Sequence, residues 1–173
     1  MRSLAAALLL ALPGTAQAAE PPCLSAQEFS AVTIYTLPAM VRGAAQRCEP
    51  VLPPKAFLRT SGEKLAQRYA KGRDRQWPHA RQAVIKAGGS FDPQAGPLLG
   101  TLPEDTLKPM VDDLVIAVVD QRLPENRCKA VDRMLMLLSP LPAPVAAETI
   151  ALTTGLAART GERRLGQLRI CRA

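Results

Sequence analysis

Apolar residues recur along the chain at three- and four-residue spacings and are interrupted by proline and glycine, the pattern of short amphipathic helices. Ser25-Ala26-Gln27-Glu28 marks the first start. It is a capping box, in which the serine hydroxyl accepts from the Glu28 amide and the carboxylate reaches back. Phe29, Val32, Tyr35 or Thr36, and Met40 follow at helical spacing, and the stretch runs on to Arg47. Pro38 lies inside it and is expected to kink or break it, because proline removes a backbone donor and its ring crowds the preceding turn. Val51-Leu52-Pro53-Pro54 reads as an extended connector. A second box, Thr60-Ser61-Gly62-Glu63, predicts a short helix through Leu65, Arg68 and Tyr69 to Ala70. Trp77-Pro78 opens a third, with proline in its first turn, Ala83, Val84 and Ala87 as its small apolar face and Gly88-Gly89 as its stop. Residues 90–100 hold enough turn formers to predict a loop.

Thr101-Leu102-Pro103-Glu104 repeats the capping pattern, and Pro109 predicts a kink or a restart. Met110, Val111, Leu114, Val115 and Val118 then form one apolar face, with Asp113 and Asp120 on the opposite side. Leu123-Pro124 ends that helix. The next stretch, residues 127–138, is apolar nearly all round through Val131, Met134, Leu135, Met136, Leu137 and Leu138, which predicts the buried centre of a bundle. A stiff connector, Ser139-Pro140-Leu141-Pro142-Ala143-Pro144, leads to a last helix with Val145, Thr149, Leu152 and Leu156 on one face. A basic tail, residues 162–173, closes the chain. Period-2 alternation is missing, so the expected fold is all-α: a single domain, residues 19–173, of five or six short helices with Pro-rich connectors.

The start of the chain adds a compartment. Arg2, the apolar run Leu4 to Leu12, the Pro13-Gly14 break and Ala16-Gln17-Ala18 have the three parts of a secretory signal, cleaved after Ala18. The apolar run is too short for a membrane span, which needs about 20 residues. Cys23 stands too far beyond the cut for a lipid-anchored start. A periplasmic or secreted protein is therefore expected. Its 47% hydrophobic and 21% charged residues exclude global disorder.

The four cysteines, Cys23, Cys48, Cys128 and Cys171, all follow the signal, and in an oxidising compartment they read as two disulfides. No C-x-x-C or Cys/His spacing supports zinc, and no C-x-x-C-H supports haem. Three pairings are open. In one straight helix Cys23 and Cys48 would lie about 37 Å apart at 1.5 Å per residue, so joining them requires a hairpin at Pro38. Of the long-range alternatives, Cys48–Cys128 with Cys23–Cys171 is preferred.

Candidate chemistry is sparse, and no cofactor is implied. His79 sits among arginines, with no carboxylate to orient it and no G-x-S-x-G nucleophile to serve. Glu104, Asp113 and Asp120 could form a hydrolase site with His79, although Asp113 and Asp120 would stand about 10.5 Å apart by helix rise. A solvated helix face is the simpler account. Met110, Met134 and Met136 lack the His or Cys that a soft-metal site combines with methionine, so they read as core packing. Asp132 is expected to pair with an arginine of the tail if it is buried.

The formal charge of +7 falls by one unit when residues 1–18 are removed, because Arg2 is their only charged residue. Two clusters carry much of the excess. One comprises Arg68, Lys71, Arg73, Arg75 and Arg81; the other comprises Arg159, Arg163, Arg164, Arg169 and Arg172. They form a candidate patch for an anionic envelope component or an envelope protein, or else a solvated basic surface. Export and only 3% aromatic residues argue against nucleic acid.

Cys23, Leu37-Pro38, Gln46-Arg47-Cys48, Trp77-Pro78, Arg127-Cys128 with Asp132, Leu138-Ser139-Pro140-Leu141-Pro142 and Ile170-Cys171 form a pattern. It resembles that of small exported helical proteins of Gram-negative bacteria that have no assigned function. The resemblance implies the compartment and a cysteine-braced helical fold, and it carries no activity. Three functions are therefore weighed: a non-enzymatic binder of an envelope component or protein partner, the His79–carboxylate hydrolase, and a periplasmic chaperone.

Overall fold

The computed structural model describes residues 23–153, 164–165 and 168–171. The expected signal, residues 1–18, lies outside the described residues, as do Arg159 and Arg163. Seven α-helices follow one another: α1 (Ala26–Cys48), α2 (Phe57–Ala70), α3 (Trp77–Phe91), α4 (Ala95–Thr101), α5 (Glu104–Arg122), α6 (Cys128–Leu138) and α7 (Ala143–Thr153). Single 3-10 turns, Arg73–Gln76 and Glu125–Arg127, lead into α3 and α6. In the tail, β1 (Arg164–Leu165) and β2 (Leu168–Arg169) pair antiparallel.

The Ser25–Glu28 capping box forms in full at the start of α1. That helix runs unbroken through Pro38, so the expected break does not occur. It is the centre of the bundle and packs against α2, α3, α5, α6 and α7. Ile34 to Ala39 are buried at every position, including Thr36, whose hydroxyl donates to the Val32 carbonyl at 2.8 Å and so enters the core satisfied. One side of α1 joins α2, α6 and α7 in a core around Leu37, Val41, Leu65 and Leu135. The other side meets α3 and α5 through Tyr35, Trp77, Ala80, Leu107 and Val111.

Several expectations are corrected. The residues of α6 are not buried all round: Cys128, Leu135 and Leu138 face the core, while Leu137 is 63% exposed. Met136 and Met110 are exposed as well, and of the three methionines only Met134 packs against the core. The expected face of α5 is also displaced. Leu107 and Val111 are buried, whereas Met110, Leu114 and Val118 stand in solvent. Val145 of α7 is exposed, and Ala146 and Ala147 are buried in its place.

Helix α2 begins at Phe57, a turn before the Thr60–Glu63 box, and Thr60 donates to the Ala56 carbonyl from inside the helix. Gly88 and Gly89 do not stop α3. They admit α4, which occupies the expected loop: Gly96 lies so close that a Cβ there would stand 3.2 Å from the Gly89 Cα. Thr101 does not cap α5; its hydroxyl donates back to Leu98, and α5 continues through Pro109.

Both disulfides have the preferred pairing. Cys48–Cys128 ties the end of α1 to the start of α6 with both cysteines fully buried, and its Cα atoms are 5.3 Å apart. Cys23–Cys171 closes the fold at a Cα separation of 5.1 Å. Beside it Leu24 and Ile170 form a parallel bridge, and the Cys171 amide donates to Leu24 at 2.8 Å.

Candidate binding surface

The last carbonyls of a helix have no partner within it, and a cation placed there satisfies them and complements the helix dipole. This chain supplies such cations from remote elements at four helix ends. Arg59 donates to Glu49 at the end of α1 (3.2 Å), and Arg81 to Gly100 in the last turn of α4 (2.6 Å). Arg47 donates to Leu123 at the end of α5 (3.0 Å), and Arg68 to Ser139 at the end of α6. The Tyr69 hydroxyl adds a buried bond to Leu138 at 2.9 Å. One helix start is held in the same way: Asp132 of α6 accepts from the Leu58 amide of α2 at 2.7 Å. Its partner among the described residues is thus a backbone donor, and the tail arginines Arg159, Arg163 and Arg172 lie outside the described residues.

Ion pairs also join helical segments. Arg73 grips Asp112 with two hydrogen bonds, 2.9 and 2.6 Å, stacks 4.5 Å from the Tyr35 ring centroid, and reaches the Tyr35 carbonyl at 3.5 Å in the turn before Pro38. The Asp112 bond raises the Arg73 pKa further above its ordinary value. Tyr35 and Trp77 pack with centroids 4.8 Å apart, and burial pushes the Tyr35 hydroxyl up to about 12. Neither the Tyr35 hydroxyl nor the Trp77 indole N–H has a hydrogen-bond partner among the described residues. Lys86 bridges Glu28 (2.8 Å) and the Cys23 carbonyl (3.3 Å). Burial raises the Glu28 carboxyl, but the Lys86 and Ser25 bonds outweigh it and hold the group below its ordinary value.

These contacts divide the first basic cluster. Arg68, Arg73 and Arg81 are tied to carbonyls or to Asp112, and Arg75 bonds Gly72 at 3.4 Å. Lys71 alone in that cluster has no side-chain partner among the described residues. In the second cluster, Arg164 and Arg169 are backbone partners in the β1–β2 register. The hydrolase candidates are placed as follows. His79 bonds Gln27 at 3.0 Å, Glu104 pairs with Lys108 at 3.4 Å, and Asp113 is exposed on α5. No hydrogen bond or ion pair joins His79 to Glu104, Asp113 or Asp120 among the described residues.

A different cationic surface emerges on α6, which the sequence reading placed in the core. Lys129, Ala130, Arg133, Met136 and Leu137 are all exposed, and at 3.6 residues per turn they share an arc of about 120°. Lys129 and Arg133 have no side-chain partner among the described residues. The exposed prolines 140, 142 and 144 and the exposed Val145 continue the apolar part into α7. Arg68 and Tyr69 hold this turn from beneath through their bonds to Ser139 and Leu138. The available signal was the phase of Lys129 and Arg133, one turn apart and one to two turns before Met136 and Leu137.

Among the described residues, no group of His, Cys, Asp and Glu could hold a metal ion, and no helix is long and apolar enough to cross a membrane. No protein-family model, curated protein or solved structure matches the chain.

Proposed function

We propose that the chain is an exported, non-enzymatic helical protein that binds an anionic envelope component through cations its fold leaves free. Export is supported by the three-part pattern of residues 1–18 and by the two disulfides, which persist in oxidising compartments. One observation carries the binding reading: arginines of the first cluster are tied to carbonyls and Asp112, while Lys129 and Arg133 have no side-chain partner among the described residues and stand beside exposed apolar side chains. Unpaired surface cations attract polyanions over a Debye length, so the binding should be salt-sensitive. Retention on an immobilised sulfated polysaccharide tests it. The protein is expected to bind at low salt, elute at raised salt, and elute earlier with Lys129→Gln and Arg133→Gln. Retention indifferent to salt and to both substitutions would refute the reading.

A chaperone is the second reading, favoured by the exposed stripe Met110, Leu114 and Val118 along α5. It requires the wild type to suppress aggregation of a denatured client and Leu114→Ser to do so less well. Equal suppression by both proteins would remove the stripe from consideration.

A further inference from the structure

We propose that the α6–α7 turn docks on an anionic lipid surface, with Met136 and Leu137 entering the headgroup layer and Lys129 and Arg133 meeting lipid phosphates. This inference rests on the anionic-partner reading above and names the partner's chemistry.

Leu137 is 63% exposed and Met136 43%, so both present apolar surface to solvent. A rigid protein partner would have to offer a pocket shaped to two projecting side chains. A fluid interface accommodates them without one, and long cationic side chains beside entering apolar residues can keep their charged heads at the headgroup phosphates. The charge is complementary. Both cations lack a side-chain partner among the described residues, and of the nearby acids Asp132 is turned to the Leu58 amide and Glu125 to Arg47. The turn is also prepared for contact. Proline fixes φ at three of its positions, and the carbonyls of Leu138 and Ser139 are held by Tyr69 and Arg68, so little order has to be gained on binding.

The test is co-sedimentation of the intact, oxidised protein with vesicles of phosphatidylcholine alone or mixed with phosphatidylglycerol, and in parallel its binding to soluble polyphosphate. Binding is expected to the mixed vesicles and not to the neutral ones. Lys129→Gln with Arg133→Gln should weaken it about thirtyfold, and Met136→Ser with Leu137→Ser about tenfold. All four side chains are exposed, so unchanged thermal melting of the variants will confirm that they fold. Equal binding to neutral vesicles would overturn the electrostatic half. If polyphosphate binds and mixed vesicles do not, or if the serine variant binds vesicles as the wild type does, the lipid inference fails while the anionic-partner reading stands. If neither vesicles nor polyphosphate bind, both fail. Vesicle binding that is absent while an acidic protein binds would likewise overturn the lipid assignment.

Discussion

Gly43 sits where α1 packs against the backbone of α5, and replacing it with alanine tests whether α1 is the centre of the fold. A Cβ at this position would lie 2.9 Å from the Ile116 carbonyl oxygen, 2.9 Å from the Val119 Cβ and 3.1 Å from the Ile116 Cα. Two of these atoms are backbone and cannot rotate away, so α5 would have to move by about half an ångström, at a cost of roughly 1–3 kcal/mol. Alanine returns about 1 kcal/mol of helix propensity. The net expectation is a loss of up to about 2 kcal/mol. Gly62 is the internal control. It is buried in α2, but its added Cβ would meet nothing closer than 3.6 Å, so Gly62→Ala should gain about 0.5–1 kcal/mol. Urea unfolding with the disulfides intact reads both. With a slope of about 2 kcal/mol per molar, the midpoint should fall by up to about 1 M for Gly43→Ala and rise by about 0.3–0.5 M for Gly62→Ala. A rise for both would refute the close α1–α5 crossing.

Three further outcomes are expected. Asp132→Ala leaves the Leu58 amide without its acceptor and should cost about 1–2 kcal/mol in urea unfolding, whereas Asp132→Asn, which keeps an acceptor oxygen, should cost less than half as much; equal losses would contradict the capping role. The Glu28 carboxyl is held below its ordinary value of 4.5, so its stabilisation is complete above that pH and is lost as the pH falls through the depressed folded value. Glu63, held down by Arg42, acts in the same direction. Unfolding midpoints measured from pH 7 downward should therefore fall below about pH 4.5, less steeply in Glu28→Gln, and an identical slope would be contrary. Tyr35→Phe removes a buried hydroxyl that has no partner, so its melting temperature should be unchanged or higher; a loss above about 1 kcal/mol would place an acceptor there.

What could be read from the sequence was local. The Ser25–Glu28 box forms because donor and acceptor are three residues apart and nothing remote competes. The Thr60–Glu63 box fails because Asp132, 74 residues from Leu58, reaches the N-terminus of α2 a turn earlier, and Glu63 pairs with Arg42 instead. Helix rise keeps Cys23 and Cys48 apart and so removes one of three disulfide pairings, but only the fold separates the other two. The identity of the central helix was not. Tyr35 and Thr36 dilute the apolar pattern of α1, although Thr36 satisfies its hydroxyl internally. Gly88 and Gly89 read as a stop because glycine gives the same local signal whether it ends a helix or admits a neighbour, here α4. Basic clusters were visible as composition, but the carbonyls that claim Arg47, Arg59, Arg68 and Arg81 lie 7 to 76 residues away along the chain. Counting apolar residues in α6 hid the phase that leaves Lys129, Arg133, Met136 and Leu137 on one exposed side.

The division between cations that hold the fold and cations that bind is tested most directly by comparing two variants on the immobilised polysaccharide and in thermal melting. Lys129→Gln with Arg133→Gln should elute at lower salt and melt as the wild type does. Arg81→Gln, which unties Gly100, should elute close to the wild type, apart from the loss of one charge, and melt about 2–4 °C lower. The reverse result, with the α6 variant retained normally and the Arg81 variant losing retention without losing stability, would contradict it.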